Sequence, residues 1–203
     1  IKICNAKVIN IPSPSFTHMN KKKLNDKIDV LKLIAVGRLS RDKGYTIIIK
    51  ALSKLKINHF SMKILGDGPE KNNLKKMIKN YNLEGKIKLI GFKKNTKKYY
   101  KEANLFINAS LFEGFPNAVV EAISYCVPVI CSNCKGGAHE ILLNNKGGDF
   151  FQSGNPRSLS EKISLFYKNP KLLNNKLLLA RKNIHNFSIK NHVDSYETVF
   201  RNI

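Results

Sequence analysis

Apolar residues along this chain alternate between short continuous runs and longer stretches with helical spacing. Leu31-Lys32-Leu33-Ile34-Ala35-Val36-Gly37 reads as a buried strand, and Tyr45, Ile48, Ala51, Leu52 and Leu55 then mark one face of a helix from about Gly44 to Leu55. The unit repeats. Strand 62–65 precedes a helix over 70–81, strand 87–90 a short helix near 97–102, strand 105–109 a helix over 117–125, and strand 127–131 a short helix around Glu140. Gly148 to Phe151 forms a last strand. Strands alternating with helices at this spacing require right-handed crossovers, which predicts an α/β fold with a Rossmann-like, doubly wound parallel sheet. Beyond Pro156 the pattern becomes helical: Leu159, Ile163 and Phe166 form one stripe, Pro170 opens a second helix, and Phe187-Ser188 precedes a third ending near Phe200. Residues 1–30 read instead as a connector, because Ile11-Pro12-Ser13-Pro14-Ser15 is extended by its prolines and Lys21-Lys22-Lys23 opens a solvated stretch.

The 203 residues suffice for one such domain and not for two large ones. Thirty-six Lys and Arg against 14 Asp and Glu give a formal charge of +22, which raises nucleic acid as a partner. Splitting the charge weakens that reading: 31 of the cations are Lys and five are Arg, alongside abundant Asn and Ile, as an AT-rich coding sequence produces. No stretch interleaves aromatic and basic residues as single-strand binders do. The ample Ile and Leu and the absence of low-complexity tracts argue against disorder, and no apolar run approaches the roughly 20 residues that span a bilayer. Four Cys make no disulfide framework and suit a reducing cytosol. The chain starts on Ile rather than Met and without a signal-peptide pattern, so a fragment or processed piece is expected.

Doubly wound sheets bind ligands beyond the carboxyl ends of their strands, so chemistry is sought there. After the first strand comes Gly37-Arg38-Leu39-Ser40-Arg41-Asp42-Lys43-Gly44. Arg38 offers a planar fork and Lys43 a mobile point charge at a helix start, a set suited to a diphosphate. The spacing is not that of a Walker P-loop, and taken alone such a loop in a Lys-rich chain is more often plain solvated charge. After the second strand, Gly66-Asp67-Gly68-Pro69-Glu70 permits a tight turn or close approach of backbone to a ligand. After the fourth comes Glu113-Gly114-Phe115-Pro116-Asn117, followed one turn into the helix by Glu121. Glu113 also reads as a plain loop charge and Glu121 as a surface helix glutamate; as ligand groups they favour a sugar and a ribose over a second phosphate, because a carboxylate near phosphates is repelled unless hydroxyls engage it.

Taken in order, these motifs, with Val127-Pro128-Val129-Ile130 and Gly136-Gly137 before Glu140, resemble the carboxyl-terminal half of a family 4 glycosyltransferase of the GT-B fold. The resemblance runs from about Leu31 to the last helix. It implies that Arg38 and Lys43 hold the donor diphosphate, that Glu113 contacts hydroxyls of the transferred sugar, and that Glu121 binds the ribose. Gly114, Phe115, Pro116 and Asn117 would line sugar and phosphates, with Gly68 at the pocket edge and Phe92 and Lys93 beside the base. Gly136 and Gly137 would flank the pocket by close packing.

The resemblance also implies a retaining transfer of a hexose or N-acetylhexosamine from a UDP-linked donor to a glycan or lipid-linked acceptor. Such an enzyme acts in surface polysaccharide biosynthesis, in the cytoplasm or peripherally at the inner face of the plasma membrane, where lysines would favour anionic lipid. No cofactor or metal is implied, and there is no Asp-x-Asp motif. By this reading residues 1–30 are the tail of an amino-terminal domain and a linker, 31–186 the nucleotide-sugar-binding domain, and 187–203 a helix packing back on that other domain. A sugar-nucleotide epimerase of similar fold and a charge-driven nucleic-acid-binding module stand as alternatives. Cys131-Ser132-Asn133-Cys134 lacks a second pair at zinc spacing. His139 at a helix start reads as packing or as a hydrogen-bonding group for a ligand, and Tyr99 and Tyr100 as helix packing rather than a base platform.

Overall fold

The computed structural model describes residues 19–22, 24 and 26–201. The proline-bearing stretch 11–15 and Lys23 lie outside them. Six strands form one sheet: β1 (Leu31–Val36), β2 (Phe60–Leu65), β3 (Ile87–Gly91), β4 (Leu105–Asn108), β5 (Val129–Ser132) and β6 (Asp149–Phe151). Every pairing is parallel and the order is β3-β2-β1-β4-β5-β6. The chain winds outward from β1 in one direction and from β4 in the other. A crevice therefore opens between the carboxyl ends of β1 and β4, the topological switch point.

Both faces are covered, as a parallel sheet requires. Period-two alternation sends Leu33 and Ala35 to one face and Ile34 to the other; Leu105 and Ile107 oppose Phe106 in the same way. The first face packs against α1 (Tyr45–Leu52), α2 (Lys71–Asn80) and α6 (Pro156–Lys168), and Leu159, Ile163 and Phe166 of α6 lie in that core. The second packs against α3 (Lys97–Glu102), α4 (Asn117–Ser124), α5 (Ala138–Ile141) and α7 (Pro170–Asn183). Asn155 caps α6 by accepting from the amides of Arg157 and Ser158, with Pro156 at the first helical position.

Two element ends differ from the periodicity. Helix α1 stops at Leu52 because Lys54 and Leu55 turn back onto Ala51 and Leu52 carbonyls, although Leu55 keeps its apolar contact with the core. Strand β5 starts at Val129 because Cys126 adopts a positive φ of 57° and the Val127 amide returns to the Ala122 carbonyl. Those residues terminate α4. The last helix, α8 (Ile189–Arg201), has no buried residue, and Ile189, Val193, Tyr196 and Phe200 line one exposed stripe of it.

The segment before β1 is strapped to the domain. Asn20 donates its amide to the Ser124 carbonyl, and its own carbonyl accepts from Arg181 and from the Cys126 thiol. Lys22 reaches the Ala103 carbonyl, and Met19 and Leu24 pack on the second core.

Candidate functional site

The crevice at the switch point holds a cavity of about 290 Å³ whose walls include Arg38, Lys43, Tyr45, Ser110, Glu113 and the Phe115-Pro116-Asn117 segment. Two loops build it. In the first, a 3₁₀ turn over Arg41–Lys43 ends in Gly44, and this turn aims Lys43 inward. The second leaves β4 at Asn108, whose side-chain oxygen accepts from the Ser110 amide, and runs to the start of α4. The loops are stitched together: the Leu111 amide donates to the Asp42 carbonyl at 2.7 Å.

At the centre, Lys43 Nζ lies 2.9 Å from both Glu113 oxygens, and the Ser110 hydroxyl donates to Glu113 Oε2 at 2.9 Å. Glu113 is thus held by three charge-assisted hydrogen bonds, two of them from a cation. Arg38 is exposed on the cavity rim. Tyr45, at the first position of α1, is buried; burial, and then the nearby Glu113 charge, push its phenol far above the ordinary range, so it stays a donor. Beyond Glu113, Gly136 packs so tightly that a side chain there would sit 1.8 Å from the Glu113 carbonyl oxygen. The Gly137 amide also donates to the Gly114 carbonyl at 2.7 Å. The loop after β5 thereby braces the Glu113-Gly114 backbone.

Glu121 lies one turn further along α4, outside the cavity wall and half-buried against the Tyr100 hydroxyl. Burial raises its carboxyl above the ordinary glutamate value, and the Tyr100 hydrogen bond offsets part of that rise. A carboxyl with a raised value in the fold costs stability when it must ionise; the cost is absent in acid, grows as pH climbs from the ordinary glutamate value toward the raised one, and is complete above it. Glu121→Gln is therefore expected to melt higher than wild type at pH 7, with the gap closing on acidification. A lower melting point at pH 7 would contradict this.

The remaining sequence candidates lie elsewhere. Gly68 sits against the Leu39 backbone, where the Asp67 carbonyl and the Glu70 amide bond Leu39, and does not line the cavity. Phe92 is 74% exposed at the end of β3, and Lys93 borders a separate lysine-lined depression with Lys97, Lys98 and Tyr99. His139 stacks on the Phe150 ring at 4.4 Å. Cys131 and Cys134 are buried free thiols, both pushed upward by burial. Among the described residues no three His, Cys, Asp or Glu side chains cluster as a metal site. Ser110, Tyr45 and Tyr100 gain functional interest from the structure. Ser110 carries a signal in hindsight, a small hydroxyl residue three positions before the loop glutamate.

A doubly wound parallel sheet with basic and acidic groups facing across its switch point defines a Rossmann-like α/β domain with a ligand crevice, and similarity to known proteins gives the family. Residues 17–182 match the family model described as "Glycosyl transferases group 1", and the chain belongs to that family. An N-acetylgalactosamine-N,N'-diacetylbacillosaminyl-diphospho-undecaprenol 4-alpha-N-acetylgalactosaminyltransferase from Campylobacter jejuni is 34% identical over 140 residues, 69% of this chain and 38% of that protein. A glycosyltransferase structure from Rickettsia africae matches at a TM-score of 0.78 and 26% identity, covering 86% of this chain and 48% of that one. The Anabaena protein Alr3699/HepE, solved with UDP-glucose, shares the fold at a TM-score of 0.80 and 20% identity, over 86% of this chain and 50% of that one. The chain spans half or less of the length of these relatives.

Proposed function

We propose that this chain is the donor-binding half of a retaining glycosyltransferase that takes a hexose or N-acetylhexosamine from a UDP-sugar. The observation that carries this reading is the meeting of Arg38, Lys43 and Glu113 around one cavity at the switch point. Arg38 and Lys43 grip the diphosphate in place of a bound divalent cation, Glu113 takes hydroxyls of the sugar, and Glu121 takes the ribose. As the bond to the anomeric carbon breaks, that carbon becomes oxocarbenium-like and negative charge grows on the departing UDP. Fixed cations aimed at that charge lower the barrier. The acceptor is a glycan or lipid-linked sugar in surface polysaccharide biosynthesis, a reading supported by the name of the Campylobacter relative. A second domain supplies the acceptor's side of the cleft, and the exposed stripe of α8 packs against it. No helix among the described residues is long and apolar enough to cross a membrane. We place the reaction at the cytoplasmic membrane face, with lysines toward anionic lipid.

Calorimetric titration of the chain with UDP-sugars and with DNA over a salt series tests the reading. Saturable UDP-sugar binding is expected, weakened about ten- to a hundredfold in Arg38→Ala, because a charge-assisted bond to phosphate is lost. Tight, steeply salt-dependent DNA binding without UDP-sugar binding sinks it.

A further inference from the structure

The ammonium of Lys43 has three N–H groups, and two of them are directed at the oxygens of Glu113. In the proposed function, which this inference deepens, these two residues serve different parts of the donor: Lys43 the diphosphate, Glu113 the sugar. A diphosphate that draws Lys43 toward itself takes the cation from a carboxylate whose side chain is only 14% exposed. Such a carboxylate, left beside a new anion, is destabilised. We propose that the Lys43–Glu113 pair is an exchange latch that selects the intact sugar nucleotide over the spent nucleotide. UDP opens the latch and leaves Glu113 short of partners. A UDP-sugar opens it and offers sugar hydroxyls to Glu113 in the same event, so the lost hydrogen bonds are replaced.

Ser110 belongs to the same device. Its hydroxyl holds Glu113 Oε2 from the protein side, while the Ser110 amide is fixed by Asn108. Glu113 therefore keeps its place when Lys43 leaves, and Ser110 acts as a positioning residue. The latch also gives a direction to turnover: once the sugar has departed, Lys43 returns to Glu113 and UDP is released.

The pair makes an unusual demand on one variant. Glu113→Gln removes the competitor for Lys43, so UDP itself is expected to bind about three- to tenfold tighter than to wild type, while the preference for UDP-glucose or UDP-N-acetylgalactosamine over UDP disappears. Simple repulsion between Glu113 and phosphate would also tighten UDP binding, and the Lys43→Ala background separates the two. With a latch, Glu113→Gln adds nothing to UDP affinity once Lys43 is gone; with repulsion alone, the same gain persists. Calorimetry on the chain with UDP and both sugar nucleotides reads all of these values. Ser110→Ala supplies a second test: without the hydroxyl that holds Glu113 once Lys43 leaves, UDP affinity is expected to fall, and by more than the affinity for the UDP-sugars, whose hydroxyls replace the lost bonds.

Unchanged or weaker UDP binding in Glu113→Gln, or a gain that survives in Lys43→Ala, overturns the latch and leaves the proposed function standing. If Glu113→Gln does not fold, equal losses of UDP and UDP-sugar affinity in Ser110→Ala overturn it instead. Wild-type chain that binds neither UDP nor a UDP-sugar overturns both.

Discussion

Lys43→Ala is expected to slow glycosyl transfer about a hundred- to a thousandfold in a transferase built on this chain. Losing one well-placed donor to a developing negative charge costs about 2.7 to 4 kcal/mol, which is that range of rate. Lys43 qualifies as well placed because the 3₁₀ turn fixes its backbone at the cavity wall, so once the side chain has been drawn to the diphosphate little further reorganisation accompanies the reaction. The charge on the leaving diphosphate is larger in the transition state than in the bound donor. The loss should therefore fall mainly on kcat, with a smaller rise in KM. Lys43→Arg should restore little, since a planar fork on a longer stem does not present the same point charge beside Glu113. Steady-state kinetics with saturating acceptor separate the two constants, and a fall in kcat of less than tenfold removes Lys43 from the transition state.

Much of this site could be read from local sequence, because each piece follows a strand and each strand announces itself by its apolar run. Arg38, Lys43, Glu113 and Asn117 line one cavity because β1 and β4 are neighbours at the point where the winding reverses. The adjacency itself is not local: Leu33 pairs with Leu105 across more than 70 residues, and no periodicity near either residue records it. The same holds for the Lys43–Glu113 bond, which joins two loops 70 residues apart. Tyr45 and Tyr100 show a different limit. Their rings belong to the buried sets of α1 and α3 and so read as packing, which they provide. Tyr45's place in the cavity wall and the reach of the Tyr100 hydroxyl to Glu121 depend on side-chain direction. The three-residue turn at Arg41–Lys43 is too short to have a hydrophobic period, and Ser110 is a single hydroxyl in a loop. Phe92 and Lys93 follow a strand as well, yet β3 is an edge strand two places from β1, which carries them away from the cavity.

Gly44→Ala should destabilise the domain by about 2 to 5 kcal/mol and weaken nucleotide binding with it. Gly44 has φ of 66° and ψ of 24°, the left-handed region, which costs an L-residue about 1 to 2 kcal/mol. A methyl group there would also lie 2.0 Å from the Ala109 carbonyl oxygen and 2.9 Å from its carbon. Those atoms are backbone at the end of β4 and cannot swing aside as a side chain could, so overpacking adds about 1 to 3 kcal/mol. The contact falls between Lys43 and the loop that carries Ser110 and Glu113, two residues from the Leu111–Asp42 hydrogen bond. Relieving the overlap means moving that loop away from the first, which pulls apart the two loops that wall the cavity and takes Arg38 and Lys43 out of register with the rest of its lining. Stability and function therefore fail together at this glycine, whereas at Gly85, where a methyl group meets nothing within 4 Å, alanine should shift stability by no more than about 0.5 kcal/mol. Urea denaturation of the two variants, followed by UDP titration of each, measures both effects. A Gly44→Ala domain within about 1 kcal/mol of wild type would mean that the two loops separate freely, and the geometry that joins Lys43 to Glu113 would then carry no mechanical weight.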